Sequence, residues 1–469
     1  MARIKLAYLG GGSSRAPGTM ASFMHHGEEF DGSEFVLIDL DPDRLEVVKT
    51  ITEKMARNAG LDITVTTATD QREGLRDVDA VLSSFRPGGF EARALDERIP
   101  LKHGVIGQET QGPGGMMMSL RSVRIMRQLC ENLAQVAPRA RIFNYTNPVN
   151  IVSQAVADNT DIPIVSFCEG PICFPPVVAR AAGLDPDKLK ANLVGVNHNC
   201  WSNEATYDGE DVFPILRERW KAVKDDPTVD LHLKRVLHLA VTMESIPSDY
   251  FLYYYFREER LRELQLSPMT RSETILSELP GYWDHYHEQA ASDAPELDPS
   301  RSRGGIHELE LAIDAISAFY NDTGARLPFN IPNTGLFLPG FDESTVVEVW
   351  GTVDAKGFHP EQQRPCRTRC SGSLRPSPST RSSPPGPPGT ALAPTPCAPW
   401  PPIRSSRRSR WPRHSTTRWR WPSASGCRRG CCRNHGRALP RRRRRQQQDG
   451  RAGVHGRRRD CRLRPLGLR

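Results

Sequence analysis

From the first residues the chain sets short apolar runs between longer amphipathic stretches. Residues 4–9 alternate and run into Gly10, Gly11 and Gly12, as a buried strand does when it feeds a glycine-rich turn, and a helix is predicted over 14–25. A second strand over 35–38 ends at Asp39, and 42–59 has helical spacing, with Leu45, Val48 and Ile51 on one face. Further strands are predicted at 63–66, 79–84 and 140–144, with a helix over 116–137 before the last. Strand and helix alternate, so the expected class is α/β, a parallel sheet wound on both faces, over residues 1–150.

After residue 150 the signals mix. Strands are expected near 163–167 and 191–196 and helices near 176–182, 229–243 and 305–319, which makes 151–360 a second, α+β domain. No internal repeat is visible. At about residue 361 the character changes: 361–469 holds 16 Pro, 28 Arg and 7 Cys, with no Lys, Phe, Tyr or Met. Such a composition builds no core, and a disordered tail is expected. Arg without Lys and Trp without Phe or Tyr is what out-of-frame reading of GC-rich DNA gives. The tail is therefore read as a frameshift that replaced the original C-terminus, against the alternative of an Arg-rich segment binding RNA through Arg441 to Arg445.

Charge follows the same division. The net +8 hides 35 basic against 52 acidic residues in 1–360, and 28 against 3 in 361–469. An acidic front gives no reason to expect nucleic acid or an anionic membrane as its partner. No apolar run approaches the roughly 18 to 20 residues of a spanning helix, and the chain enters a strand at once instead of a signal peptide, so a cytoplasmic protein is expected. Only Cys130, Cys168, Cys173 and Cys200 precede residue 361, which suits a reducing compartment.

The candidate chemistry sits on a few residues. Gly10-Gly11-Gly12-Ser13 after a strand lets a backbone approach a pyrophosphate at a helix N-terminus, and Asp39 is placed to accept from an adenosine ribose, favouring NAD over its phosphorylated form. The usual third glycine is replaced, because Arg15 or Ala16 falls there. Cys168 and His198 are a thiol and an imidazole that suit a divalent metal with open positions; a buried structural Cys and a hydrogen-bonded His is the alternative. Tyr250 opens a tyrosine cluster that is either aromatic core or, with a cation to lower its pKa, a base. Arg86, Arg93 and Arg303 lie beside glycine turns and suit a phosphate or a hydroxyl-rich ligand, although each alone reads as a surface salt bridge.

Together these residues resemble family 4 glycoside hydrolases across 1–360. The match runs through Gly10-Gly11-Gly12-Ser13, Phe85-Arg86-Pro87-Gly88-Gly89, Asp96 to Gly104, Gly107-Gln108-Glu109-Thr110, Asn144-Tyr145-Thr146-Asn147-Pro148, Cys168, Asn197-His198 and Tyr250. The resemblance implies a Rossmann-like first domain in a lactate/malate dehydrogenase-like architecture, and a glycosidase that uses NAD and a divalent metal, manganese-like, in place of two carboxylates. It implies oxidation at the sugar C3, removal of the C2 proton by Tyr250, loss of the aglycone, addition of water and return of the hydride. Cys168 and His198 become the metal ligands. Gly10, Gly11, Gly12, Ser13, Asp39 and Arg86 become cofactor contacts, and Glu109 and Asn147 sugar contacts, with Arg93 and Arg303 for a 6-phosphate.

Two departures bear on the expectation. Phospho-β members resemble one another in Asn after the metal-binding Cys, and phospho-α members in Asp there as general acid, whereas this chain has Glu169. The overall run of the chain favours a 6-phospho-β-glucosidase. Family members also end in helices that complete the second domain and often a homo-oligomer interface, which the tail here replaces. Two rival functions are an NAD-dependent 2-hydroxyacid dehydrogenase and nucleic-acid binding through the tail.

Overall fold

In the computed structural model, which describes residues 1–303 and 309–365, the first half of the chain builds six strands. They are β1 (Lys5–Leu9), β2 (Glu34–Ile38), β3 (Thr64–Ala68), β4 (Ala80–Ser83), β5 (Arg141–Asn144) and β6 (Ile164–Ser166). All pair in parallel, in the order β3-β2-β1-β4-β5-β6. The order reverses between β1 and β4, and such a reversal opens a crevice beyond the carboxyl ends of the strands. This parallel half runs past residue 150, because β6 completes it.

The helices cover the faces as the pattern predicts. Helix Pro42–Asn58 starts where Pro42 has no amide to lose and where Asp41 accepts from Arg44 N at 3.1 Å; it buries Leu45, Val48 and Ile51. The core between helices and sheet is made by Tyr8, Phe23, Phe35, Phe143 and Phe167, with Trp201 and Phe329 continuing it into the second half.

Six more strands extend the same sheet: β7 (Leu189–Val196), β8 (Asn199–Tyr207), β9 (Glu210–Asp211), β10 (Ala325–Pro332), β11 (Val346–Asp354) and β12 (Gly357–Pro360). Here pairing is antiparallel, in the order β6-β10-β11-β7-β8-β9, with β12 beside β11. The junction is one rung, Asn330 opposite Ser166. A second apolar cluster, including Val178, Leu193, Phe213, Leu216 and Leu237, lies beneath helices Gly170–Ala181, Val212–Val223 and Leu231–Met243.

Two long helices were not legible in the apolar pattern. Gly89–Lys102 turns charges inward: Arg93, Asp96 and Glu97 are buried, tied to Glu109, Arg121 and the Ser272 amide. Arg271–Ala291 packs on it and begins in a capping box, Thr270 with Glu273. The helix expected over 305–319 is Glu310–Asn321; residues 304–308 lie outside the described residues, as does everything after 365, so the expectation of a disordered or frameshifted tail and its RNA-binding alternative fall outside them too. Among the described residues no helix is long and apolar enough to cross a membrane.

Candidate active site

Four loops at the carboxyl ends of β1, β4, β5 and β6 carry most of the expected residues. After β1, Gly10 and Gly11 donate their amides to Ile38 O at 2.9 and 3.1 Å. A Cβ on Gly10 would lie 2.3 Å from Ser84 O, and φ there is +103°, so the position requires glycine. Gly12 N donates to Asp39 Oδ2 at 3.0 Å, which brings the carboxylate of the β2 end onto the turn. Arg303 joins this group: its Nη1 lies 3.3 Å from Ser14 Oγ, and its guanidinium sits 4.3 Å from the Phe90 ring centre.

The second group forms around His198. Asn197 and His198 make the turn between β7 and β8, with His198 at φ 66°, a left-handed conformation held because Ser248 Oγ donates to His198 O at 3.0 Å. Cys168, just past β6, faces it with Sγ 3.6 Å from His198 Nε2. Thr110 Oγ1 donates to Gln108 Oε1 at 2.8 Å, so its oxygen accepts from His198 Nδ1, 3.0 Å away. That bond leaves Nε2 as a lone pair aimed at the sulfur. Burial pushes the His198 imidazole down to about 3, keeping it neutral, and pushes the Cys168 thiol up to about 12, with the Glu348 charge adding to the rise.

Tyr250 stacks on His198, ring centres 3.6 Å apart and planes within 12°. It sits on the turn Asp249–Phe251, whose cap Ser248 accepts from Tyr250 N at 3.3 Å and so ties phenol and imidazole to one residue. Burial, then the charges of Cys168 and Glu109, hold the phenol well above its ordinary value.

Glu109 lies between the two groups. It pairs with Arg86 and, at 3.2 Å, with Arg93 Nη1, while Arg93 Nε donates to Glu97 at 2.8 Å. Burial would raise the Glu109 carboxyl, but the two guanidinium charges hold it at about 2. Arg86, expected at the cofactor, thus pairs with a sugar candidate, and its guanidinium lies 5.1 Å from the centre of the same Phe90 ring that Arg303 covers. Glu169 accepts a hydrogen bond from the Tyr145 phenol, and Asn147 has its Oδ1 buried without a hydrogen-bond partner.

Models of the Family 4 glycosyl hydrolase and of the Family 4 glycosyl hydrolase C-terminal domain match residues 5–184 and 193–381. A probable 6-phospho-beta-glucosidase of Bacillus subtilis (strain 168) is 31% identical over 356 residues, 73% of this chain and 79% of that protein. The chain belongs to glycoside hydrolase family 4. A maltose-6'-phosphate glucosidase of the same strain is 29% identical to this family 4 chain over 372 residues, 76% of the chain and 81% of the relative. Among solved structures, a 6-phospho-alpha-glucosidase from gut microorganisms, in complex with NAD and Mn2+, has a TM-score of 0.67 at 24% identity, covering 79% of this chain and 87% of its own. A 6-phospho-beta glucosidase from Thermotoga maritima with manganese, NAD+ and glucose-6-phosphate has a TM-score of 0.66 at 22%, covering 79% and 86%. These two likenesses establish the fold.

Four residues of this family 4 site had no individual role assigned from the sequence: Thr110, Tyr145 and Asn197, all inside the matched motifs, and Glu348. Glu348 carried a signal, a lone carboxylate inside Val346-Val347-Glu348-Val349-Trp350. The other three are ordinary polar residues that only folding brings into contact with the site.

Proposed function

We propose that the protein hydrolyses 6-phosphoglucosides, with preference for the β anomer, using NAD and a divalent ion such as manganese. The observation that carries this reading is the thiol and imidazole 3.6 Å apart with a phenol stacked on the same imidazole. The names of the relatives support the substrate class, and the 31% identity to the probable 6-phospho-beta-glucosidase supports the anomer.

The residues fit both groups. The glycine turn leaves no room for side chains, and Ser13 Oγ beside it is buried without a hydrogen-bond partner, as a cradle for a pyrophosphate requires. Cys168 Sγ and His198 Nε2 are a soft donor set, and a divalent charge there reverses the burial that otherwise keeps the thiol protonated. When bound, the dinucleotide would supply a hydride acceptor and the cation Lewis-acid charge at the sugar oxygens.

The chain does the rest. Cys168 and His198 would hold the cation, and Tyr250, stacked on His198, would take the C2 proton. Glu169, oriented by the Tyr145 hydrogen bond, gives its proton to the departing oxygen. Asn147 receives a sugar hydroxyl at its open Oδ1, Glu109 another, and Arg93 and Arg303 are the candidates for the 6-phosphate, Arg303 lying 3.3 Å from Ser14 Oγ.

The test is an activity panel of α and β, phosphorylated and free nitrophenyl glucosides, with NAD and manganese present or omitted. Aglycone release from the β-6-phosphate that requires both additions, without net NADH, supports the reading. Stoichiometric NADH from a 2-hydroxy acid would overturn it. Tyr250→Phe is expected to suppress deuterium exchange at C2 and leave NAD affinity unchanged; undiminished exchange removes Tyr250 as the base.

A further inference from the structure

Glu348 is the acidic residue of an otherwise apolar stretch of β11 and is only 1% exposed. A carboxylate among valines is unfavourable unless hydrogen bonds offset its lost hydration, so its partners show what it is for. The sheet register places it in one row across four strands: Ser166 of β6 opposite Asn330 of β10, Asn330 opposite Glu348, and Glu348 opposite Gly195 of β7. One end of the row is the strand that delivers Cys168, and the other is the strand that delivers His198.

The side chains follow the row. Asn330 Nδ2 bridges Ser166 O and Glu348 Oε1, at 3.2 Å each. From the other side Asn197 Nδ2 donates to the same Oε1 at 3.0 Å, and the Asn197 amide also hydrogen-bonds the Cys168 sulfur. Oε1 accepts from Asn197 as it does from Asn330, which turns the Asn197 NH2 inward. The amide is then held with its hydrogens toward the sulfur, and its own peptide leads directly into the left-handed His198.

We propose that Glu348 is a positioning residue for the metal pair: through Asn197 and Asn330 it fixes the separation and orientation of Cys168 and His198, and so sets the affinity for the divalent ion. This rests on the reading of those two residues as metal ligands. Groups that orient metal ligands from behind change metal affinity by about 10- to 100-fold when removed.

The experiment titrates the full-length protein with Mn(II) alone, following free Mn(II) by electron paramagnetic resonance, and measures NAD affinity in parallel by fluorescence. Glu348→Ala and Asn197→Ala are each expected to weaken Mn(II) binding by about 10- to 100-fold. The double variant should lose no more than about threefold beyond the weaker-binding single, because both cut the same chain of bonds. Glu348→Gln, which keeps an acceptor oxygen, should stay within about threefold of the parent, and NAD affinity should hold throughout. Parental Mn(II) affinity in Glu348→Ala overturns the proposal; if that variant does not fold, parental affinity in Asn197→Ala overturns it. A Cys168→Ser control separates the levels: Mn(II) binding lost there but kept in Glu348→Ala removes only the positioning role. Binding kept in both removes the metal pair itself.

Discussion

Replacing Glu109 by Gln tests the electrostatic centre of the site. The carboxylate is the shared partner of Arg86 and Arg93, all three largely buried, with side chains 13%, 20% and 10% exposed. Its folded pKa of about 2 against the ordinary 4.5 corresponds, at about 1.4 kcal/mol per unit, to roughly 3 kcal/mol of stability from its ionised form. The folded pKa is depressed, so this contribution is fully present above pH 4.5 and is lost as pH falls toward 2. The glutamine variant forfeits it and removes the counter-charge that Arg86 and Arg93 share, leaving Arg93 with Glu97 alone. Breaking a buried pair in this way costs about 3 to 5 kcal/mol, and that is the expected gap at pH 7. Urea unfolding followed by circular dichroism at pH 7, 4 and 3 reads it out. The linkage contribution should keep most of its size at pH 4 and fall to about 1.4 kcal/mol at pH 3. A gap under about 1 kcal/mol at pH 7, or one that widens as the medium is acidified, would refute the reasoning.

Three further outcomes are expected. Gly12→Ala puts a Cβ 3.2 Å from Asp39 Oδ2 and pushes that carboxylate off the turn, so NAD affinity by calorimetry should fall about tenfold or more; an unchanged affinity would remove the turn from the cofactor site. Glu169→Gln should slow release of an alkyl aglycone by about a hundredfold while a nitrophenyl group, which leaves without help, is little affected; equal losses on the two would deny the residue its role as acid. His26 has its pKa raised from 6.5 chiefly by its hydrogen bond to Glu310 at 3.0 Å, with Glu29 and Asp314 adding to the effect against burial. A raised folded pKa gives stability that is present below 6.5 and lost as pH rises, so the urea midpoints of the parent and His26→Gln should converge between pH 6 and 8.5; divergence over that range contradicts the assignment.

Much of the fold was legible because burial imposes a period on the chain. The strand and helix expected at 35–38 and 42–59 appear as Glu34–Ile38 and Pro42–Asn58, since an unbroken apolar run suits a strand buried on both faces and the helix turns one apolar face to the core. Gly89–Lys102 escaped for the opposite reason: its inward face carries Arg93, Asp96 and Glu97, and a pattern read by hydrophobicity cannot see a helix packed through ion pairs. That β10 and β11 join the parallel half was not legible, because the one rung that makes the joint, Asn330 opposite Ser166, spans 164 residues.

The sequence by itself determined that a glycine turn follows a buried strand, that Asp39 ends the next one, and that a thiol, an imidazole and a phenol are present in a family 4 order. These follow from local geometry and residue type, which are written along the chain. Only the tertiary structure decided that Cys168 faces Nε2 of His198, that Thr110 selects which imidazole nitrogen is free, that Arg86 pairs with Glu109, and that Glu348 stands behind both arms of the site. The physical reason is that each is a contact between segments whose distance is set by strand order and register, and neither is encoded in the spacing of any one segment.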